Sequence, residues 1–354
     1  MILKSLKLQN FRNFNEAQFD LHPKLTIILG PNAVGKTNLL ESIHFILTGN
    51  GVKEENMSEL VTFDQNQTIL LALLKNDFQE MKLTSIISTN TINNRKISIN
   101  GVVRSVQQLL STCPGVVLFT PRLLSIIDTD PSARRQYFDK VISKVDKNYA
   151  TALHNYNNAL TKRNKLISKL FSHPNHLKEE LIFWDDYLIK NALILTDYRQ
   201  RYVDRLNCDQ KIQDYQFQIT YLPNLIDTIT LEASFEKSLI LLRTLVGPQK
   251  DDFCITLKSK SAQPIDIHTF GSRSQQRLAL FWLKLHELSF FEEKLDEKPI
   301  LLLDDIISEL DEDNQRVALN TIRNFQTILT TTESSLAKMV DDEYLLIELK
   351  ASRK

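Results

Sequence analysis

Apolar positions along the chain change period several times, and each change marks an element. Near the N-terminus Ile2, Leu6 and Leu8, then Ala17, Phe19 and Leu21, recur on the spacing of strands, with Asn10-Phe11-Arg12-Asn13-Phe14 between them. Leu25-Thr26-Ile27-Ile28-Leu29 is a continuous β-branched and apolar run, as a buried strand requires. From Thr37 the apolar positions shift to Leu39, Leu40, Ile43, Ile46 and Leu47, the period of a helix. Thr68 to Leu74, Met81 to Ser88 and Lys96 to Ile99 predict an antiparallel meander ending in the turn signal Asn100-Gly101. A short helix is predicted over Val102 to Leu110 and a buried strand over Gly115 to Phe119. From Pro131 to about Leu206 there is no glycine, and Pro174 is the only later proline. Pro131 suits a helix start, and two long helices, 132–171 and 177–206, form a predicted αα-hairpin turning near Ser172-His173-Pro174-Asn175. Strand character returns at Tyr215 to Tyr221 and at Phe253 to Leu257, with a helix at about 231–245 between them. Ser272 to Glu293 and Asp311 to Phe325 read as helices; Ile300 to Leu303, Thr327 to Leu329 and Tyr344 to Leu349 read as strands. The expected fold is α/β, with a head formed by residues 1–130 and 208–354 and an inserted helical lobe at 131–207.

Composition narrows the class. The chain has 354 residues, 42% hydrophobic and 24% charged, which is the composition of a soluble globular protein. Its formal net charge is zero, so a nucleic-acid surface would have to be local. Cys113, Cys208 and Cys254 lie far apart and form no C-x-x-C, which fits a reducing compartment without a zinc site. No apolar run approaches ~20 residues and the alternating N-terminus has no signal-peptide apolar core, so no membrane span is expected.

The chemistry concentrates at the end of the buried strand. Gly30-Pro31-Asn32-Ala33-Val34-Gly35-Lys36-Thr37 matches G-x-x-x-x-G-K-[ST] between a strand and a helix, the phosphate-binding loop of P-loop NTPases (Walker A). Backbone N–H groups at the helix start cradle phosphate oxygens there, Lys36 reaches the terminal phosphates and the Thr37 hydroxyl ligates Mg²⁺. Leu301-Leu302-Leu303-Asp304-Asp305 supplies the acidic strand end (Walker B), Asp304 to hold Mg²⁺ and Asp305 to orient or deprotonate the attacking water. Ser308-Glu309-Leu310-Asp311 fits the turn that ABC-type ATPases place at a dimer interface. Ser272 is placed to cap the helix behind Phe270-Gly271 and leave N–H groups for a phosphate held by a second subunit.

Together these residues resemble the RecF family of ABC-type ATPases in DNA recombination and repair, nearly end to end. The resemblance runs through Asn10-Phe11-Arg12-Asn13-Phe14, Gly30 to Asn38 with Leu39-Leu40-Glu41-Ser42-Ile43, Phe119-Thr120-Pro121 and Pro131 with Arg134-Arg135. It continues in Gly247-Pro248 with Asp251-Asp252, in Ser272-Arg273-Ser274-Gln275-Gln276-Arg277, and in Leu301 to Asp311. It implies a cytoplasmic protein with an ABC-type head that binds ATP and Mg²⁺. It also implies a homodimer closed by ATP on double-stranded DNA near single-strand gaps, with RecR-like and RecO-like partners that help load RecA. By position Arg12 and Asn38 would lie near the nucleotide. Ser272, Arg273 and Gln275 would complete the partner's site, and Thr332 would stand where many ABC ATPases carry a switch histidine. Departures are Ala33 and Ser274 where the family usually has Gly, Gln249-Lys250 for His-Arg, and Arg122-Leu123 for Glu-Asp. With these, ATP binding is expected to survive and hydrolysis to be slow. A binding or scaffold module with little turnover is the alternative; an ABC-type defence ATPase with a separate nuclease is a third reading, and this chain carries no nuclease motif.

The first arm of the helical lobe is basic. Arg134, Arg135, Lys140, Lys144, Lys147, Lys162, Arg163, Lys165 and Lys169 outnumber Asp139 and Asp146 nine to two. Arg134, Arg135, Lys140, Lys144 and Arg163 are therefore candidate DNA contacts, with a merely solvated charged face as the competing reading. His173 and His176 read as surface turn residues, not metal ligands.

Overall fold

This computed structural model describes residues 1–52, 56–89, 95–170, 178–208, 211–212, 215–258, 263–295, 297–307, 312–340 and 343–350. Two compact units divide the chain, Met1–Arg122 with Lys284–Lys354, and Leu123–Leu283.

The first unit has two sheets. One is antiparallel throughout, in the order Phe14–Asp20, Ile2–Phe11, Gln67–Lys75, Glu80–Ser88, Arg95–Ile99 and Val102–Arg104. Its strands alternate buried and exposed positions, as a sheet with one face on the core must. The other is parallel, in the order Tyr344–Glu348, Leu25–Leu29, Thr327–Thr331, Ile300–Asp304 and Val116–Phe119. Its central strands are buried along their whole length, which is why they read as unbroken apolar runs. Helix Lys36–Thr48 packs into a core shared with both sheets, where Leu39 and Ile43 meet Leu70, Leu83, Ile300 and Ile328. Only Thr37 and Asn38 of that helix are not buried. Parallel strands end at one edge, so Leu29, Thr331 and Asp304 share it.

In place of the predicted helix start at Val102 there is an edge strand. Asn100 and Gly101 take φ of 50° and 80° and close a hairpin in which Ile99 pairs with Val102. The helix Val106–Thr112 begins only after Ser105, whose side chain and that of Gln108 form a reciprocal cap.

The second unit combines helices Pro131–Val145, Lys147–Leu170 and Lys178–Leu206 with an antiparallel sheet of Ile265–Asp266, Asp252–Lys258, Tyr215–Leu222 and Lys211–Ile212. The long helix predicted over 132–171 is broken at Asp146, which is extended at φ −124° and ψ 112° and caps the next helix by accepting from Tyr149 N at 2.9 Å. Likewise the helix predicted at 231–245 is two, Thr228–Ala233 and Phe235–Leu241, stopped by Leu242 at φ 52°. The lobe expected at 131–207 falls inside this unit, where Phe253 stacks on Phe138 at 3.9 Å and ties the sheet to the helices. The division with the first unit falls inside helix Arg273–Leu295. No described helix is long and apolar enough to cross a membrane.

Candidate nucleotide site

Burial of Leu25–Leu29 delivers Gly30 to the sheet edge, and Gly30 N donates to Thr331 O at 3.3 Å. A Cβ on Gly30 would come within 2.7 Å of Leu349 O, so the loop leaves the sheet through a passage that only glycine fits. Pro31, Asn32 and Ala33 are exposed, and Val34 is half-buried. Ala33 and Gly35 both have positive φ, 66° and 106°. Gly35 lies against the Asn13 carboxamide, 2.4 Å from where its own Cβ would be. Lys36, buried, donates from Nζ to Gly30 O at 2.6 Å and Pro31 O at 3.0 Å, which holds the ammonium across the loop.

Thr37 Oγ1 lies 3.0 and 2.9 Å from the two carboxylate oxygens of Asp304. Parallel pairing sets this meeting, since Asp304 ends its strand in register with Thr330, whose hydroxyl donates to Asp304 Oδ1 at 3.0 Å. Asp305 follows at φ 54°, an uncommon conformation for a non-glycine residue, and its N–H is held by Thr330 O at 3.2 Å and Oγ1 at 3.0 Å. Thr332 is exposed just past strand Thr327–Thr331 at the same edge.

Arg12, at φ 53°, donates from Nε to Glu41 Oε2 at 3.0 Å and from Nη1 to Glu59 O at 2.8 Å. Asn13 beside it donates to Val34 O at 3.0 Å and accepts from Asn38 Nδ2 at 2.8 Å. The turn between the first two strands thus grips the phosphate loop. Sequence reasoning missed Asn13 and Glu41 as site residues, although both stand inside stretches it singled out.

In the second unit Ser272 is the predicted cap. Its Oγ accepts from Gln275 N at 3.3 Å and its N–H donates to Gln275 Oε1 at 2.9 Å. Arg273 reaches Asp128 at 3.0 Å, and Phe270 stays 73% exposed. Ser308 and Asp311 lie outside the described residues, as do His173 and His176.

The basic arm needs correction. Arg134 is buried and forms a two-bonded pair with Asp252, 2.7 and 3.1 Å. Arg163 is buried between Asp185, 2.5 Å, and Thr244, 2.9 Å. Arg135 is half-buried and donates to Asp251 O at 2.8 Å. Arg134 and Arg163 are thus buried in pairings inside their own unit, while Arg135 keeps part of its surface open. Lys140 is exposed and Lys144 half-buried.

Comparison with known proteins agrees with this architecture. The family model RecF/RecN/SMC N terminal domain matches residues 2–352. The DNA replication and repair protein RecF of Clostridium botulinum (strain ATCC 19397 / Type A) is 32% identical over 352 residues, covering 94% of this chain and 93% of that protein. RecF of Caldanaerobacter subterraneus subsp. tengcongensis is 33% identical over 356 residues, 95% of each. The solved structure of the recombination mediator protein RecF-ATP in the RecFOR pathway superposes with a TM-score of 0.82 at 32% identity, covering 98% of this chain and 95% of that one. The fold is that of an ABC-type ATPase head of the RecF/SMC kind, as expected from the sequence. A Walker A loop closed on a Walker B aspartate, and identity to RecF proteins along almost the whole length, make this chain a member of the RecF family.

Proposed function

We propose that this chain binds ATP with Mg²⁺ and acts in recombinational repair and replication restart as an ATP-closed dimer on double-stranded DNA near single-strand gaps. It would work with RecR-like and RecO-like partners to help load RecA, and hydrolyse ATP slowly to reopen. The observation that carries the reading is the contact of Thr37 Oγ1 with both oxygens of Asp304 at 3.0 and 2.9 Å. A hydroxyl from the first turn of helix Lys36–Thr48 and a carboxylate from the end of strand Ile300–Asp304 converge there as an all-oxygen donor set, which fits Mg²⁺. The loop's N–H groups and Lys36 then hold the phosphates, and Asp305 orients or deprotonates the attacking water. Mg²⁺ would supply neutralisation of phosphate charge.

Sedimentation with ATP and Mg²⁺ tests this. Wild type should dimerise, Asp305→Asn should stay dimeric longer, and Ser272→Arg should remain monomeric. If all three bind ATP and stay monomeric, the clamp fails. A second reading, a nucleotide-dependent DNA-binding scaffold with little turnover, is favoured by Ser274, exposed in the first turn behind the Ser272 cap where its Cβ would crowd a partner's phosphate. DNA-stimulated ATP turnover separates the two.

A further inference from the structure

We propose that Glu41 is a positioning residue of this nucleotide site that holds the Arg12–Asn13 turn with one carboxylate oxygen and, with the other, accepts a hydrogen bond from a water of the Mg²⁺ shell. The inference rests on the Mg²⁺-ATP reading above. Glu41 is 3% exposed, and its two carboxylate oxygens differ in kind. Oε2 takes the Arg12 Nε bond at 3.0 Å, whereas Oε1 is buried without any hydrogen-bond partner. A buried acceptor left unmet is destabilising, and more so when it is charged. Four residues after Thr37 on the same helix, Glu41 lies one turn behind it on the same face. With Thr37, Thr120 and Asp304 it lines a small cavity beside the phosphate loop. Mg²⁺ gives up its waters reluctantly, so a site using Thr37 and Asp304 retains water donors beside them. Such a donor suits an orphaned carboxylate oxygen.

The other end of the carboxylate leads into the loop. Arg12 is pinned through Nη1 to Glu59 O at 2.8 Å and through its own N–H to Leu60 O at 2.9 Å. Asn13 then fixes Val34 O at 3.0 Å. Metal loading on Oε1 and loop geometry through Oε2 therefore meet in one side chain.

The test uses the whole protein, a fluorescent ATP analogue titrated in EDTA, and Mn²⁺ titrated into the ATP complex by electron paramagnetic resonance. In Glu41→Gln the amide oxygen stays with Arg12 and the NH₂ faces the water side, a donor against donors. Its ATP affinity in EDTA should stay within about twofold of wild type, while half-saturating Mn²⁺ rises about 10-fold or more, the usual cost of a lost outer-shell partner. Glu41→Asp, which withdraws the carboxylate by one methylene, should show the same rise if the amide variant does not fold. Arg12→Ala should instead weaken ATP in EDTA and leave the Mn²⁺ midpoint in place. An unchanged Mn²⁺ midpoint in both Glu41 variants overturns the inference, and so does a Glu41→Gln that copies Arg12→Ala. Wild type that binds no ATP would instead sink the nucleotide reading itself.

Discussion

Arg199 Nη1 donates to Asp251 Oδ2 at 2.6 Å, with the two side chains 2% and 0% exposed. Asp251 also accepts from Tyr221 OH and, at 2.7 Å, from Asn224 N. Arg199 turns its other donors to Asp139 at 2.7 Å and Pro248 O at 3.0 Å. Burial first, and then Asp251, push the Tyr221 phenol above its usual range, so it stays a donor at any working pH. The acidic pair after Gly247-Pro248 is thus a joint that holds the helices of the second unit to its sheet. Breaking one side of a buried pair leaves the other charge uncompensated, at about 3–5 kcal/mol. Asp251→Asn should lower the unfolding free energy by that amount in urea titrations, with an unchanged slope; a loss under about 1 kcal/mol would show that the joint is not holding the unit.

DNA contacts should come from lysines and not from the arginines of the basic arm. Lys162, Lys165 and Lys169 are exposed along helix Lys147–Leu170, while Arg163 between them is buried on Asp185. Each phosphate contact contributes about 0.9 to the salt slope of binding. Replacing the three lysines with alanine should weaken binding to a gapped duplex and flatten the slope by about two to three, read by fluorescence anisotropy. Arg163→Ala should act through the fold, by about 3–5 kcal/mol of stability. A slope unmoved by the lysine variant places the DNA elsewhere.

The nucleotide loop and the Walker B aspartates were legible because their chemistry is local: a spacing, a buried strand before it and an acidic end after it. Arg134 and Arg163 were misread for a related reason. Charge along a helix shows in the sequence, but their partners Asp252 and Asp185 lie 118 and 22 positions away, and burial is decided by that pairing. Asp146 broke a helix that composition predicted as continuous, because one side chain capping Tyr149 N outweighs a glycine-free run. Asn13 and Glu41 were invisible as site residues for want of the fold that sets the Arg12–Asn13 turn of one strand pair against Val34 and Glu41.

The three thiols should differ sharply in reactivity. Burial, reinforced by Glu297, pushes the Cys113 thiol up to about 12. Burial and Asp266 also raise Cys254. A raised thiol value means the protonated, unreactive form persists as pH rises through the usual range, and thiolate is the nucleophile. Cys208 is exposed. A disulfide reagent at about pH 8 should therefore modify one thiol per native chain quickly, mapped by mass spectrometry to Cys208, and all three after unfolding. Rapid labelling of Cys113 in the native protein would contradict its burial.

Ala33 occupies a backbone conformation suited to glycine. Its φ is 66°, and it is exposed, so its methyl group carries backbone strain but no burial. The left-handed region costs a residue with a Cβ about 1–2 kcal/mol. A glycine there returns about 0.4–1 kcal/mol through the greater freedom of the unfolded chain. Ala33→Gly should accordingly stabilise the protein by about 0–1.6 kcal/mol and, because the residue is exposed and already at positive φ, leave ATP affinity within about threefold. Gly35→Ala is the contrasting change: at φ 106° its Cβ would lie 2.4 Å from Asn13 Nδ2, so the Asn13 bond to Val34 must break. That variant should lose ATP binding in the same titration. If Ala33→Gly instead raised both affinity and turnover by tenfold or more, Ala33 would be holding the loop out of its working shape, and the slow hydrolysis expected of this chain would be traced to that one methyl group.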